Sequence, residues 1–185
     1  KLCEQYPGIE ASTLLMRSQE NCRTQKISHI KMQFLCVDSS FFQVFPQKII
    51  SGDKTQPLQV LNNLVLTETM AIRLFGSVEK AIGQQVQTKM REGLPPYIVT
   101  AVVKDPPVNT NLAFDGLIYH NMLVTLSEMP DQIQWSFMEA YVKFNANTNI
   151  DEIIKKACNL PSKLKTNANT NIEIRMVSLT NVRHD

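Results

Sequence analysis

No stretch of this chain approaches the ~18–20 consecutive apolar residues that a membrane-spanning helix needs. The longest candidate, Tyr97–Val103, has the length of a strand. Basic residues never cluster beyond two in a row, and nineteen Lys+Arg stand against seventeen Asp+Glu. A nucleic-acid surface requires clustered cations to displace phosphate counterions, so that class of function is excluded. The four cysteines, Cys3, Cys22, Cys36 and Cys158, show no Cys-x-x-Cys spacing, which argues against a zinc or dithiol site. They read as small buried side chains; in an oxidising compartment Cys3–Cys22 is the pair to test for a disulfide. No Asn-x-Ser/Thr acceptor occurs, so nothing points to N-glycosylation. The chain does not start with methionine, and Lys1–Glu10 is neither a signal nor a transit peptide. It is expected to be a segment of a longer protein, whose membrane helices would lie outside it.

Catalytic constellations are missing too. Only three histidines are present: His29 on the polar side of a strand pattern, His120 in a segment without clear pattern, and His184 near the end. A serine nucleophile needs a base within hydrogen-bond reach, and there is no Gly-x-Ser-x-Gly elbow. The stretch VDSSFFQVFPQKIISGD, Val37–Asp53, offers Ser39, Ser40, Ser51 and Asp53, but Ser51-Gly52-Asp53 reads as a turn. The chain lacks a Gly-rich phosphate loop, a His-Glu-x-x-His pair and an Asp-x-Asp-x-Asp-Gly calcium loop. Its carboxylates are scattered singly, and no acid–base pair stands out. The expectation is a non-enzymatic domain with no catalytic, cofactor-binding or metal-binding residues.

What is present is enough apolar material for a core: 43% of the 185 residues are hydrophobic. Ala11–Arg17 is a plausible strand. In Lys26–Val37, Ile30, Met32, Phe34 and Cys36 alternate with polar residues, the pattern of a half-buried strand. Ser39 or Ser40 is placed to cap one helical turn, with Phe41 and Phe45 on one side and Pro46 ending it. Lys48–Ser51 is extended, and Gly52-Asp53 turns the chain.

The middle of the sequence predicts a strand at Asn63–Leu66, then a helix Glu68–Phe75 with Thr67 as N-cap and Gly76 as a left-handed C-cap. Ala71, Leu74 and Phe75 form its buried stripe. Ser77 restarts a short helix Val78–Ile82, closed by Gly83. Strands follow at Gln84–Thr88 and Tyr97–Lys104; the second is apolar on both faces, as a central strand should be. Asp105-Pro106-Pro107 ends it, because proline donates no ladder hydrogen bond. Near the end, Glu139–Asn145 alternates as a strand. Asn149 caps a helix with Glu152 in capping-box position, and Ile150, Ile153, Ile154, Ala157 and Cys158 share one face. After Pro161 and a polar connection over Ser162–Thr170, a strand is expected at Asn171–Leu179, completing a βαβ unit.

Certain phrases, in this order, carry a resemblance: YPGIE, VDSSFFQVFPQKIISGD, LVLTETMAIRLFGSVEKAIGQQV and YIVTAVVKDPPVNTNLAFD. They resemble the extracytoplasmic core domain of MacB/FtsX-like ABC-transporter permeases of the Bacteroidetes type. The likeness runs motif by motif over Tyr6–Asp115 and by element order beyond. It implies an α+β fold in which a Porter-like subdomain, 1–52 with 114–185, carries the βαβ unit and receives an inserted, mainly β Sabre-like subdomain, 53–113. Asn109–Asn111, Asn-Thr-Asn, departs from the family's Asn-Ser-His, so no role is carried onto it. Phe41, Phe42 and Phe45 become an apolar peg beside a crossing into the insertion.

The resemblance implies a periplasmic domain of a bacterial inner-membrane permease that couples cytoplasmic ATP hydrolysis to substrate or lipoprotein handling. Its partners would be the parent chain's transmembrane helices, a second permease copy, an ABC ATPase acting through the membrane, and a periplasmic adaptor. An extracytoplasmic ligand-binding sensor is the alternative. Both readings need the chain ends close together on one side; the sensor would need, in addition, an enclosed pocket with convergent polar groups.

Overall fold

The computed structural model describes residues 6, 8–108, 110–119 and 138–158. The chain divides into two compact units, one made of Lys1–Glu10 with Lys143–Asp185 and the other of Ala11–Val142.

The larger unit is organised by strands. β1 (Ile9–Arg23) is twice as long as the sequence pattern suggests, because only its first half alternates cleanly. It forms a long antiparallel ladder with β2 (Ile30–Val37), from Leu15↔Val37 to Cys22↔Ile30. The link between them is a turn: the Thr24 hydroxyl accepts the N–H groups of Lys26 and Ile27, so Lys26–His29 is not strand. β3 (Ile49–Gly52), β4 (Asn63–Thr67), β5 (Gln85–Thr88), β6 (Tyr97–Val103) and β7 (Gly116–Tyr119) complete this unit's sheet, which β8 (Met138–Phe144) joins beside β1.

The pairings form a closed circuit, β1–β2–β7–β4–β6–β5 and back to β1. Two of them, β2 with β7 and β4 with β6, are parallel; the other four are antiparallel. β6 is central, as its two-sided apolarity predicts. It pairs with β4 along one edge and with β5 and then β3 along the other. Gly52 sits where β3 ends on that second edge, with φ at +86°, and a Cβ there would meet the Thr100 carbonyl oxygen at 2.2 Å. Only glycine satisfies both the backbone angle and that approach.

Two apolar clusters sandwich the sheet. On one face the helices α2 (Glu68–Phe75) and α3 (Val78–Ala81) place Met70, Ala71, Leu74 and Ala81 in a cluster with Met32, Phe34 and Val99. Local capping fixes both helices. The Thr67 hydroxyl accepts the Met70 N–H, Gly76 takes the left-handed C-cap, and the Ser77 hydroxyl accepts the Lys80 N–H. Phe75 is only half-buried, so Met70 takes its expected place in the stripe. On the other face Phe41 from the single-turn helix α1 (Phe41–Val44) joins Leu15, Leu35, Val37, Val103 and Leu117. β2 is therefore buried on both faces from Phe34 onward, not half-buried along its length.

In the smaller unit, α4 (Ile150–Cys158) follows a turn at 145–149. The Asn149 side chain accepts the Glu152 N–H, the cap the sequence predicts. Ile153 is buried, but Ile150 is exposed and does not belong to the packed face. The closing strand expected at Asn171–Leu179 lies outside the described residues.

Candidate functional site

In the serine-rich stretch that invites a catalytic reading, two carboxylates make the contacts that hold the backbone. Neither Ser39 nor Ser40 caps α1 with its side chain. Asp38 does the work instead. Its Oδ1 accepts the Ser40 N–H and the Thr13 hydroxyl, both within 2.9 Å, and its Oδ2 accepts the Leu14 N–H at 2.9 Å. One carboxylate thus fixes β1, the end of β2 and the start of α1. A carboxylate accepts where a serine would have to choose, which is why it wins the position. Asp53 is likewise occupied: it accepts the N–H groups of Thr55 and Gln56 and the Thr55 hydroxyl. Those donors hold its carboxyl below the usual range. His29 is exposed in the turn before β2, and His120 and His184 lie outside the described residues. Among the described residues no group of His, Cys, Asp and Glu is placed to hold a metal ion.

The buried thiols are equally inert. Cys22 and Cys36 are free and buried, and burial pushes each thiol up to about 12. Cys22 is free, as the reading of the cysteines as small buried side chains has it, so the Cys3–Cys22 pairing left open above is not made at Cys22; Cys3 lies outside the described residues.

Three arrangements remain that a domain of this kind could use. The first ties the N-terminal segment to the turn before α4 in the smaller unit. The Gly8 carbonyl accepts the Asn145 N–H at 3.0 Å and the Thr148 hydroxyl at 2.9 Å, while Lys143 reaches Glu10 at 2.6 Å. A Cβ on residue 8 would lie 2.4 Å from the Thr148 methyl, so glycine is needed for this closeness. The exposed ion pair adds little, ~0–1 kcal/mol; the hydrogen bonds give the geometry.

The second arrangement is a polar cluster on the larger unit. Arg17 forks onto Glu139 at 2.6 and 3.2 Å and donates to the Asn111 carbonyl, and the Tyr141 hydroxyl donates to Glu139 at 2.5 Å. The Tyr141 ring stands edge-on to Phe45 at 5.0 Å. Burial, and then the hydrogen bond to Glu139, push the Tyr141 phenol up to about 12. Arg17 and Glu139 are 122 positions apart in sequence, and nothing local announces their meeting.

The third is an open cleft of about 560 Å³. Phe75 and Ile82 are half-buried in its lining, and Lys26 and Lys80 border it. Most of the lining is exposed, so this is a groove and not the enclosed pocket a sensor would need. Sequence reading missed it because the turn after β1 and the α2–α3 pair meet only through the sheet closure.

Residues 1–158 match the family described as the MacB-like periplasmic core domain. The chain belongs to that family. Solved structures share the fold. A domain of a permease protein from Porphyromonas gingivalis is 18% identical with a TM-score of 0.70, over 88% of this chain and 73% of that one. The periplasmic region of MacB from Actinobacillus actinomycetemcomitans is 16% identical with a TM-score of 0.60, over 88% and 70%. The extracellular domain of the noncanonic ABC-type transporter YknZ from Gram-positive bacteria is 18% identical with a TM-score of 0.60, over 84% and 76%. No curated protein sequence matches. The mixed sheet with few helices is thus the architecture of MacB periplasmic domains, and this is a MacB-like periplasmic core domain of an ABC-transporter permease. No helix among the described residues is long and apolar enough to cross a bilayer.

Proposed function

We propose that this MacB-like domain is a non-enzymatic transmitter of force in an inner-membrane permease. ATP-driven movement of the cytoplasmic ATPase would reach it through the parent chain's transmembrane helices. The domain would then act on extracytoplasmic substrate or lipid-anchored cargo, in a permease dimer and against a periplasmic adaptor. The observation that carries this reading is the match of residues 1–158 to the MacB-like periplasmic core domain. Movement entering through the N-terminal segment would pass to the turn before α4 at the contacts of Gly8 with Asn145 and Thr148. Energy supplied across the membrane becomes a shift between packed arrangements, and such a shift needs no catalytic group.

The same proposal includes the two-part organisation, 53–113 set into 1–52 and 114–185. The turn at Gly52-Asp53 and the Pro106-Pro107 break support boundaries near those points.

The test uses the parent permease reconstituted with its ATPase. Thr148→Val combined with Lys143→Glu removes one hydrogen bond to Gly8 and turns the Glu10 pair repulsive. Transport should fall severalfold while basal ATP hydrolysis persists. Unchanged transport per ATP hydrolysed, with the domain folded, would refute the transmission reading.

A further inference from the structure

The cleft beside α2 and α3 has a chemistry that transmission does not use. Lys26 and Lys80 both line it, and neither ammonium group has a partner among the described residues. One carboxylate, Glu79, lines the cleft with them, so the lining carries two cations against one anion. The floor is apolar: Phe75 and Ile82 each pack one side against the core cluster and leave the other side to the cleft. The remaining lining is largely glutamine side chains with donors to spare.

Two unpaired cations above an aromatic and an aliphatic side chain match one ligand chemistry. An acidic head would take the lysines, and a short apolar body would cover Phe75 and Ile82. We propose that this cleft binds an amphiphilic anion, a phosphate or carboxylate head on a short alkyl or aromatic body. The inference stands on the cleft alone and does not depend on force transmission.

The experiment titrates the domain with octyl phosphate and with decanoate, each below its aggregation concentration, and reads calorimetry and amide chemical shifts. Octyl glucoside, decyltrimethylammonium and inorganic phosphate serve as comparisons. Both anionic amphiphiles should bind at submillimolar concentration and shift amides at 24–26 and 75–85. The neutral and cationic amphiphiles and inorganic phosphate should bind at least about tenfold more weakly. Lys26→Gln with Lys80→Gln, both at exposed positions, should weaken octyl phosphate binding about tenfold and flatten its salt dependence. Phe75→Ser should weaken it comparably, and if that variant unfolds the lysine pair still decides. Vesicles of phosphatidylglycerol set against phosphatidylcholine separate the sources: binding to anionic vesicles assigns a lipid headgroup, and binding only to the monomers assigns a free solute. Equal binding of octyl glucoside, indifference to the lysine pair, or no binding of either anion would overturn the proposal.

Discussion

Truncating Phe41 is the most direct test of how the larger unit is held together. The ring is fully buried, with 0% of its surface exposed. It meets the Phe42 ring edge-on at 5.7 Å and the Phe45 ring at 5.3 Å, and it fills the cluster that includes Leu15, Leu35 and Leu117. Phe41→Ala removes the buried ring and leaves a cavity that β1, β2 and β7 are too firmly paired to close. The expected loss is ~3–5 kcal/mol, which for a chain of this size lowers the melting temperature by about 6–20 °C. Phe45 is the informative contrast. The three phenylalanines look equivalent in sequence, but Phe45 is only part-buried and one side rests on Tyr141. Its truncation should be milder, ~1–2.5 kcal/mol. Urea melts followed by far-ultraviolet circular dichroism, with unchanged m-values, supply both numbers. A loss below about 1 kcal/mol for Phe41→Ala, or a larger loss for Phe45→Ala, would refute the assignment of Phe41 as the anchoring ring.

Gly52→Ala should lose more than about 2 kcal/mol, because strain at positive φ is joined by a clash with Thr100. Gly76→Ala has the same φ but open space around it, and should lose only about 1 kcal/mol; equal effects in urea melts would show that the clash is relieved. With Cys3 and Cys158 replaced by serine, Cys22 and Cys36 should resist a disulfide reagent at pH 8 until urea is added, since burial keeps both thiols protonated. Rapid native labelling would contradict this. The Tyr141 phenol, pushed up to about 12, keeps a proton that the unfolded chain gives up near ~10. Its contribution is therefore intact below pH ~10 and lost as pH rises through ~12. Ultraviolet titration should show a phenolate increment near 12 that Tyr141→Phe removes, and an increment centred near 10 would disprove the shift.

The elements that sequence made legible are those whose instructions are local. Thr67, Gly76, Ser77 and Asn149 sit at helix ends and fulfil their capping roles in the structure. The two-sided apolarity of Tyr97–Val103 correctly marked the central strand. The family resemblance, carried by phrases around those same caps, also held. What stayed hidden depends on distant partners. The second half of β1 runs through Arg17, Ser18, Gln19, Glu20 and Asn21, so no apolar alternation marks it, and its ladder with β2 makes it a strand. β7, at four residues, is too short to announce itself and exists through its pairing with β2 and β4. Asp38 outcompeted the adjacent serines because its donors, Thr13 and Leu14, come from a strand more than twenty residues away. Of the clefts and clusters, Arg17 with Glu139 and Lys26 with Lys80 were unreadable for the same reason.

The circuit of strands has a consequence for how the protein opens. An ordinary sheet frays from its outermost strands, whose backbone amides exchange with solvent first. In the closed ring of β1, β2, β7, β4, β6 and β5 every strand has two neighbours, so there is no outermost member from which loss of structure can start. β3 stands off that ring, bonded along one edge only, and β8 has β1 as its described neighbour. Deuterium should therefore enter β3 and β8 early, while the six ring strands take it up together and late, in one cooperative opening. Under the force-transmission proposal, a ring without a loose end would yield as a whole or not at all.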